Sequence, residues 1–277
     1  MEIKRLSHCT LKEMVKAWNR GFTGYIVPIE MNETAFLHRF VSEDLSPEHS
    51  IVAFINNEPV GIIVNGFRLI NGKKIVWNGG TGLAPEYRGK GIIKKMMNET
   101  LAIYEHQSVD IAMLEAIKEN TVAIHLYNNY GYEIVDDLVF LSGNISAGNP
   151  FQYKAYRPEQ LPYISFYEEP AVWQCQSHSV KQGEVYVFEQ DGEILGYTVF
   201  RRIWDEQGKL VRIILYQLKL VANVPLNYIS RMLATMAEGT VPVMAVNFVK
   251  NSCETQYLMN NGFVITTEQV LMRKIMK

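Results

Sequence analysis

The run Thr81-Gly-Leu-Ala-Pro-Glu-Tyr-Arg-Gly-Lys-Gly-Ile92 constrains this chain more than any other stretch. It follows an apolar segment, Lys74-Ile-Val-Trp77, that reads as a strand, and it leads into a helical stretch from Ile92 to Tyr104. A strand, a basic glycine-rich turn and a helix in that order bring unpaired backbone N–H groups and two cations to the mouth of a helix. The first N–H groups of a helix have no intrahelical acceptor, and the helix dipole places about half a positive charge there, so the mouth attracts anions. Gly89 and Gly91 let the backbone approach a ligand closely or take positive φ without a Cβ penalty. Arg88 and Lys90 offer charge-assisted contacts to a phosphate. The local chemistry is that of a diphosphate cradle, but an ordinary surface turn has the same letters, and a second element has to decide.

That element follows at a fixed distance. Leu114-Glu-Ala-Ile117 reads as a buried strand, and Asn120-Thr-Val-Ala-Ile-His-Leu-Tyr-Asn-Asn-Tyr-Gly131-Tyr132 as a helix. Asn120 suits its N-cap, Ala123, Leu126 and Tyr127 share one face, and Gly131 suits its C-terminal end. Together the two segments resemble the GCN5-related N-acetyltransferase (GNAT) superfamily. Its first signature, a strand followed by P-x-Y-R-G-x-G, matches Pro85 to Gly91. Its second, L-E-x-x-x-x-N-x-x-A-x-x-L-Y-x-x-x-G-F/Y, matches Leu114 to Tyr132. Two positions depart from the pattern. Glu86 stands where Gln or Arg is frequent, and Ile93 where a further glycine is common. A carboxylate beside a diphosphate weakens the cradle unless Glu86 turns away.

The resemblance implies an acyltransferase that moves the acetyl group of acetyl-CoA directly to a primary amine of a small molecule or peptide. It implies that Arg88, Gly89, Lys90, Gly91 and Ile92 hold the diphosphate. Leu83 and the backbone near Ala84 are expected to bond the pantetheine amides where the strand splays. Asn120 is expected to contact the pantetheine arm or the diphosphate region, although its capping role alone would account for it. Tyr127 is the candidate acid for the departing thiolate, and a core tyrosine is the alternative. Glu115 is the candidate base, twelve residues before Tyr127, as in enzymes that acetylate the N-terminus of ribosomal proteins. A strand carboxylate paired with a neighbouring cation is the alternative, and Glu30 is the reserve. The acceptor side is implied to be Trp18 to Met31, with Arg20 and Glu30 as its only charges. A non-catalytic acyl-CoA sensor or scaffold, or a transferase with another acceptor or donor, would keep the same cradle.

Composition narrows the rest. The formal charge of −2 over 277 residues, divided as −3 for residues 1–145 and +1 for the remainder, offers no footprint for nucleic acid or an anionic membrane. Cys9, Cys175 and Cys253 have no metal-ligand spacing and read as reduced thiols of a cytoplasmic protein. Met1-Glu-Ile-Lys-Arg lacks the apolar run of a signal peptide, and no apolar stretch suits a membrane span. His125 points off the face of Tyr127 and is expected in solvent. His38, among apolar neighbours, is expected in the core or at a pocket edge.

The order of elements reads β–α–α–β–β–β–α–β–α–β, which is the GNAT order. Leu11, Met14, Val15 and Trp18 recur at helical spacing, as do Phe36, Leu37, Phe40 and Val41 after the capping Asn32. The second half repeats the first. The hairpin carrying Gly196 parallels the one carrying Gly61, and Asn251 to Phe263 parallels Asn120 to Tyr132. The expected fold is therefore α/β: two tandem GNAT-like domains, residues 1–145 and 146–277, each a mostly antiparallel mixed sheet flanked by helices, joined in the loop-like Ser142–Pro150. The second copy has lost the chemistry. Its counterpart of the cradle, Val221 to Ser230, has no glycine and no cation, and Tyr257 sits one position off the place of Tyr127, as a packing residue.

Overall fold

The computed structural model describes residues 1–276. Two compact units are present, one formed by Met1–Val135 with Leu271–Lys277 and the other by Asp136–Val270. The division expected in the loop-like 142–150 stretch therefore falls earlier, inside a strand. Residues from 271 on return to the first unit, so a boundary drawn at one point of the chain misses the arrangement.

The first unit runs β1 (Glu2–Arg5), α1 (Leu11–Gly21), α2 (Glu33–Ser42), β2 (Ile51–Ile55), β3 (Glu58–Ile70), β4 (Lys73–Leu83), α3 (Ile92–His106), β5 (Ile111–Ile117) and α4 (Thr121–Asn129), then enters β6 (Glu133–Ser146). Local signals account for these helices. Thr10 and Glu13 cap α1 reciprocally, Thr10 N–H donating to Glu13 and Glu13 N–H to the Thr10 hydroxyl. The Asn32 carboxamide accepts from Ala35 N–H, and that of Asn120 from Ala123 N–H. α2 buries Phe36 and Phe40 but leaves Leu37, Val41 and His38 exposed, so His38 is a surface residue rather than a core or pocket-edge one.

The strands of this unit lie in the order β1-β2-β3-β4-β5, with the last residues of β12 (Val264–Ile275) beyond β5. Pairing is antiparallel up to β4 and parallel between β4 and β5. The parallel ladder is short: Ile75, Val76 and Trp77 pair with Ile111, Ala112 and Met113. β4 then continues to Leu83 and β5 to Ile117 without further rungs. The glycines of β4 answer to α1. A Cβ on Gly80 would stand 2.8 Å from the Trp18 ring, and one on Gly21 would stand 2.9 Å from the Gly82 carbonyl carbon. Helix and strand thus touch backbone to backbone.

The second unit contains β7 (Gln152–Tyr156), β8 (Glu184–Gln190), β9 (Glu193–Trp204), β10 (Leu210–Leu220), α5 (Tyr228–Met236), β11 (Thr240–Val249) and α6 (Cys253–Asn260), with most of β6 and the first part of β12. Its order is β6-β11-β10-β9-β8-β7, and only β10 and β11 pair in parallel. The repeat has a common cause at Gly61 and Gly196. Each pairs with the end of a long strand, Leu83 or Leu220, where a Cβ would meet Gly82 O at 3.0 Å or Lys219 O at 2.1 Å. The N-cap of α6 is Ser252, one residue after Asn251, and its side chain accepts from Thr255 N–H.

The place where β10 and β11 part, beyond Leu215 and Ala245, is filled by the unit's own short turn Trp173–Cys175. Gln217 donates to the Cys175 carbonyl at 2.7 Å, the Cys175 thiol to Val246 O at 3.3 Å, and Asn247 to Gln174 at 3.0 Å. Trp173 and Cys175 are each only 2 % exposed.

Gly21→Ala is expected to destabilise the chain by about 1–3 kcal/mol in denaturant unfolding, although alanine is the better helix former by ~1 kcal/mol, because its Cβ meets rigid backbone. An unchanged midpoint would show that α1 shifts freely on β4.

Candidate active site

Beyond the last β4–β5 rung of the first unit, the described residues include no turn placed as Trp173–Cys175 is in the second. A cavity of about 660 Å³ opens there, within the size range of small-molecule sites. Its walls are Thr81 to Leu83 of β4, the turn and first residues of α3, residues of α4 from Asn120 to Tyr127, and Gly21, Phe22, Tyr25 and Ile26 from the α1–α2 connection.

The glycine turn has the conformation its sequence requires. Gly89 and Gly91 sit at φ +73° and +74°, where side chains are strained, and a Cβ on either would meet nothing within 4 Å. The backbone at the N-terminus of α3 is therefore open to a ligand. Gly91 is the N-cap of α3, and Ile92, Ile93 and Lys94 line the cavity with their N–H groups at the first turn. This arrangement fits a diphosphate: open backbone, helix dipole and a cation on one side. Ile93 leaves the turn intact.

The charged residues around the turn are placed differently from expectation. Glu86 turns to Arg20, whose Nη2 donates to its carboxylate at 2.6 Å, and it does not line the cavity. Its own N–H and Arg20 hold the Glu86 carboxyl below the usual range. Arg20 also donates to Pro59 O at 3.1 Å, so it is a structural cation rather than an acceptor-side charge. Arg88 lines the cavity, but its guanidinium is engaged with main-chain carbonyls: Nε donates to Leu83 O at 2.9 Å and Nη2 to Thr23 O at 3.1 Å. It ties the α1–α2 connection to the end of β4. Lys90 is not a wall residue; its Nζ lies 5.6 Å from the Tyr87 ring centroid. Lys94, in the first turn of α3 and outside the glycine motif, takes its place on the wall.

Ala84 is a correction of the same kind. Its N–H donates to Val60 O at 2.8 Å, because the β3–β4 pairing runs past Leu83, so it has no donor for a ligand amide. Leu83 does line the cavity, with its carbonyl engaged by Arg88. Asn120 reaches the wall while also capping α4.

Tyr127 is buried in the cavity wall. Burial pushes its phenol up to about 12, the Tyr25 phenol nearby adds to this, and the Thr81 hydroxyl acts the other way. A phenol of that acidity keeps its proton at neutral pH and holds it next to the cavity. Burial also raises Tyr25, opposed by the Asn120 side chain. Tyr25 and Phe22, with rings 5.4 Å apart, were legible only as part of an aromatic segment.

Glu115 is not among the cavity's wall residues. It lies on β5 two residues past the last rung shared with β4, and its Oε2 accepts from the Trp77 indole N–H at 2.6 Å. Glu30 is exposed and away from the cavity wall, and His125 lies exposed at its edge. Among the described residues, no group of three or more His, Cys, Asp or Glu is placed to hold a metal ion. No helix among them is long and apolar enough to cross a membrane.

Residues 11–132 match the acetyltransferase (GNAT) family, and the first unit is thus a GNAT domain, of a kind that generally uses acyl-CoA. No curated protein sequence matches the chain. Solved structures match it over nearly its whole length. The GCN5-related N-acetyltransferase of Sphaerobacter thermophilus aligns with 99 % of this chain and 95 % of its own at 13 % identity and a TM-score of 0.62. A putative acetyltransferase of Pyrococcus horikoshii aligns with 100 % of this chain and 89 % of its own at 15 % identity and a TM-score of 0.61. At these identities the likeness is one of fold, and it extends through both units.

The Tyr127 phenol also gives the fold a pH limit. An unfolded tyrosine ionises near pH 10, so the stability this group contributes is complete below about pH 10 and is lost as pH rises through about 12. Between about pH 9 and pH 11 the fall in Tm should be shallower for Tyr127→Phe than for the parent; equal slopes would mean that Tyr127 ionises normally.

Proposed function

We propose that the first unit transfers the acetyl group of acetyl-CoA to a primary amine of a small molecule or peptide by direct attack. The observation that carries this reading is one continuous cavity with the open glycine turn of α3 on its wall and the proton-bearing Tyr127 phenol on the same wall. The turn and the α3 N-terminus would hold the diphosphate, with Lys94 beside it. Asn120 and Leu83 would flank the pantetheine arm. Arg88 would act through its hold on the α1–α2 connection.

A lysine-like amine has a pKa of about 10.4, so reaching its neutral form at pH 7 costs roughly 4.6 kcal/mol. A base that accepts the proton offsets this cost. We assign that role to Glu115, which stands just past the point where β4 and β5 part. The amine nitrogen attacks the thioester carbonyl carbon, Glu115, which stands off the cavity wall, takes the amine proton through water, and the C–S bond breaks. Tyr127 gives its proton to the departing thiolate.

Tyr127→Phe should lower kcat by about 10²–10⁴-fold while leaving the Kd for acetyl-CoA nearly unchanged, because only the leaving-group proton is lost. Loss of binding instead would make Tyr127 a packing residue. Calorimetry should give one acetyl-CoA per chain, since the equivalent gap of the second unit is filled by Trp173–Cys175. Gly91→Val should weaken that binding at least about tenfold by closing and straining the turn. Binding without thiol release across a panel of small amines and peptides would favour a non-catalytic sensor.

A further inference from the structure

Trp77 is 2 % exposed and stands on the last rung of the β4–β5 ladder, opposite Met113. Alternation along β5 puts Met113 and Glu115 on one face, so a cross-strand indole reaches the carboxylate diagonally. The resulting bond, from Trp77 Nε1–H to Glu115 Oε2, is 2.6 Å long. The ring is held on its other sides. Gly79 leaves it room: a Cβ there would lie 2.6 Å from its Cζ3. The Arg39 guanidinium lies 6.0 Å from the Trp77 ring and 4.6 Å from that of Trp18. Arg39 is itself fixed by donating to Gly79 O at 2.6 Å and to Glu43 at 2.8 Å. An indole so enclosed has one orientation to offer its N–H.

We infer that Trp77 is the positioning residue for the Glu115 carboxylate, with Arg39 and Gly79 keeping the indole in place. The inference rests on the reading of Glu115 as the base. A general base works only within hydrogen-bond reach of the proton it takes or of one water that relays it, and a misplacement of about 1 Å costs on the order of 10²-fold in rate. A glutamate side chain on a strand has several rotamers open to it. A charge-assisted bond from a buried indole selects one of them.

The test replaces Trp77 in the full chain by 3-benzothienylalanine, which keeps the ring and loses only the donor. Thiol release should show kcat at least about tenfold lower, with the Kd for acetyl-CoA unchanged by calorimetry. The same replacement in a Glu115→Ala background should cost nothing further. The Trp77 indole proton, assigned by its loss in Trp77→Phe, should resonate downfield and move upfield in Glu115→Ala. That signal is read whether or not an acceptor is in hand. Full kcat in the benzothienyl protein, with Glu115→Ala impaired, overturns the positioning role and leaves the base standing. Full kcat in Glu115→Ala removes the base reading and the positioning role with it. Additive losses in the double variant, or an indole signal that ignores Glu115→Ala, also overturn the inference.

Discussion

The first unit depends on a parallel ladder that stops early. Three rungs hold β4 to β5, and both strands then run on without each other. Backbone groups that would have met across the ladder must find other partners, since unpaired buried N–H and C=O groups are costly. In the second unit Val246 O finds one in the Cys175 thiol, and the Gln217 side chain donates to the Cys175 carbonyl of the same turn. In the first unit the end of β4, no longer paired with β5, lines a cavity together with α3, α4 and the α1–α2 connection. One topological event thus gives a packed core in one copy and a ligand-sized site in the other.

Around that opening, the charges are arranged so that few of them face it. Arg20 is bound to Glu86 and Pro59 O, and Arg88 to the carbonyls of Leu83 and Thr23. Beside the apolar and aromatic wall, the positive features at the cavity are the N-terminus of α3 and Lys94, with the engaged Arg88. Under the proposed function, such a site would bind a phosphate through pre-formed geometry and lose less side-chain entropy on binding than one built from flexible cations.

Much of this was legible from local chemistry. The element order, the caps at Asn32 and Asn120, and the positive-φ glycines at positions 89 and 91 each follow from residues close together in the chain. What escaped depended on distant partners. The pairing of Glu86 with Arg20 joins residues 66 apart, and the claim of Val60 on the Ala84 N–H depends on how far the β3–β4 pairing runs. Tyr25 enters the cavity wall from a connection without periodicity, where side-chain direction has no sequence signal. His38 lies on a helix whose apolar stripe is wider than the face it buries, since Leu37 and Val41 are also exposed. The loop-like composition of 142–150 conceals a strand, since β6 runs on to Ser146, while the units divide between Val135 and Asp136.

The return of residues 271–275 beside β5 bears on the order in which the protein is made. Met276 N–H donates to Asp110 O at 2.9 Å, and Lys274 Nζ donates to Tyr130 O at 2.8 Å, closing the helix end at Gly131. These partners lie more than 140 residues apart. A ribosome that has finished β5 and α4 has therefore produced the whole cavity wall but left one edge of its sheet uncovered. That edge is exposed to foreign strands until β12 is synthesised. Translation speed through the second half of the message thus sets how long the first unit waits unfinished, and slow codons there would prolong the interval in which a chaperone is most needed.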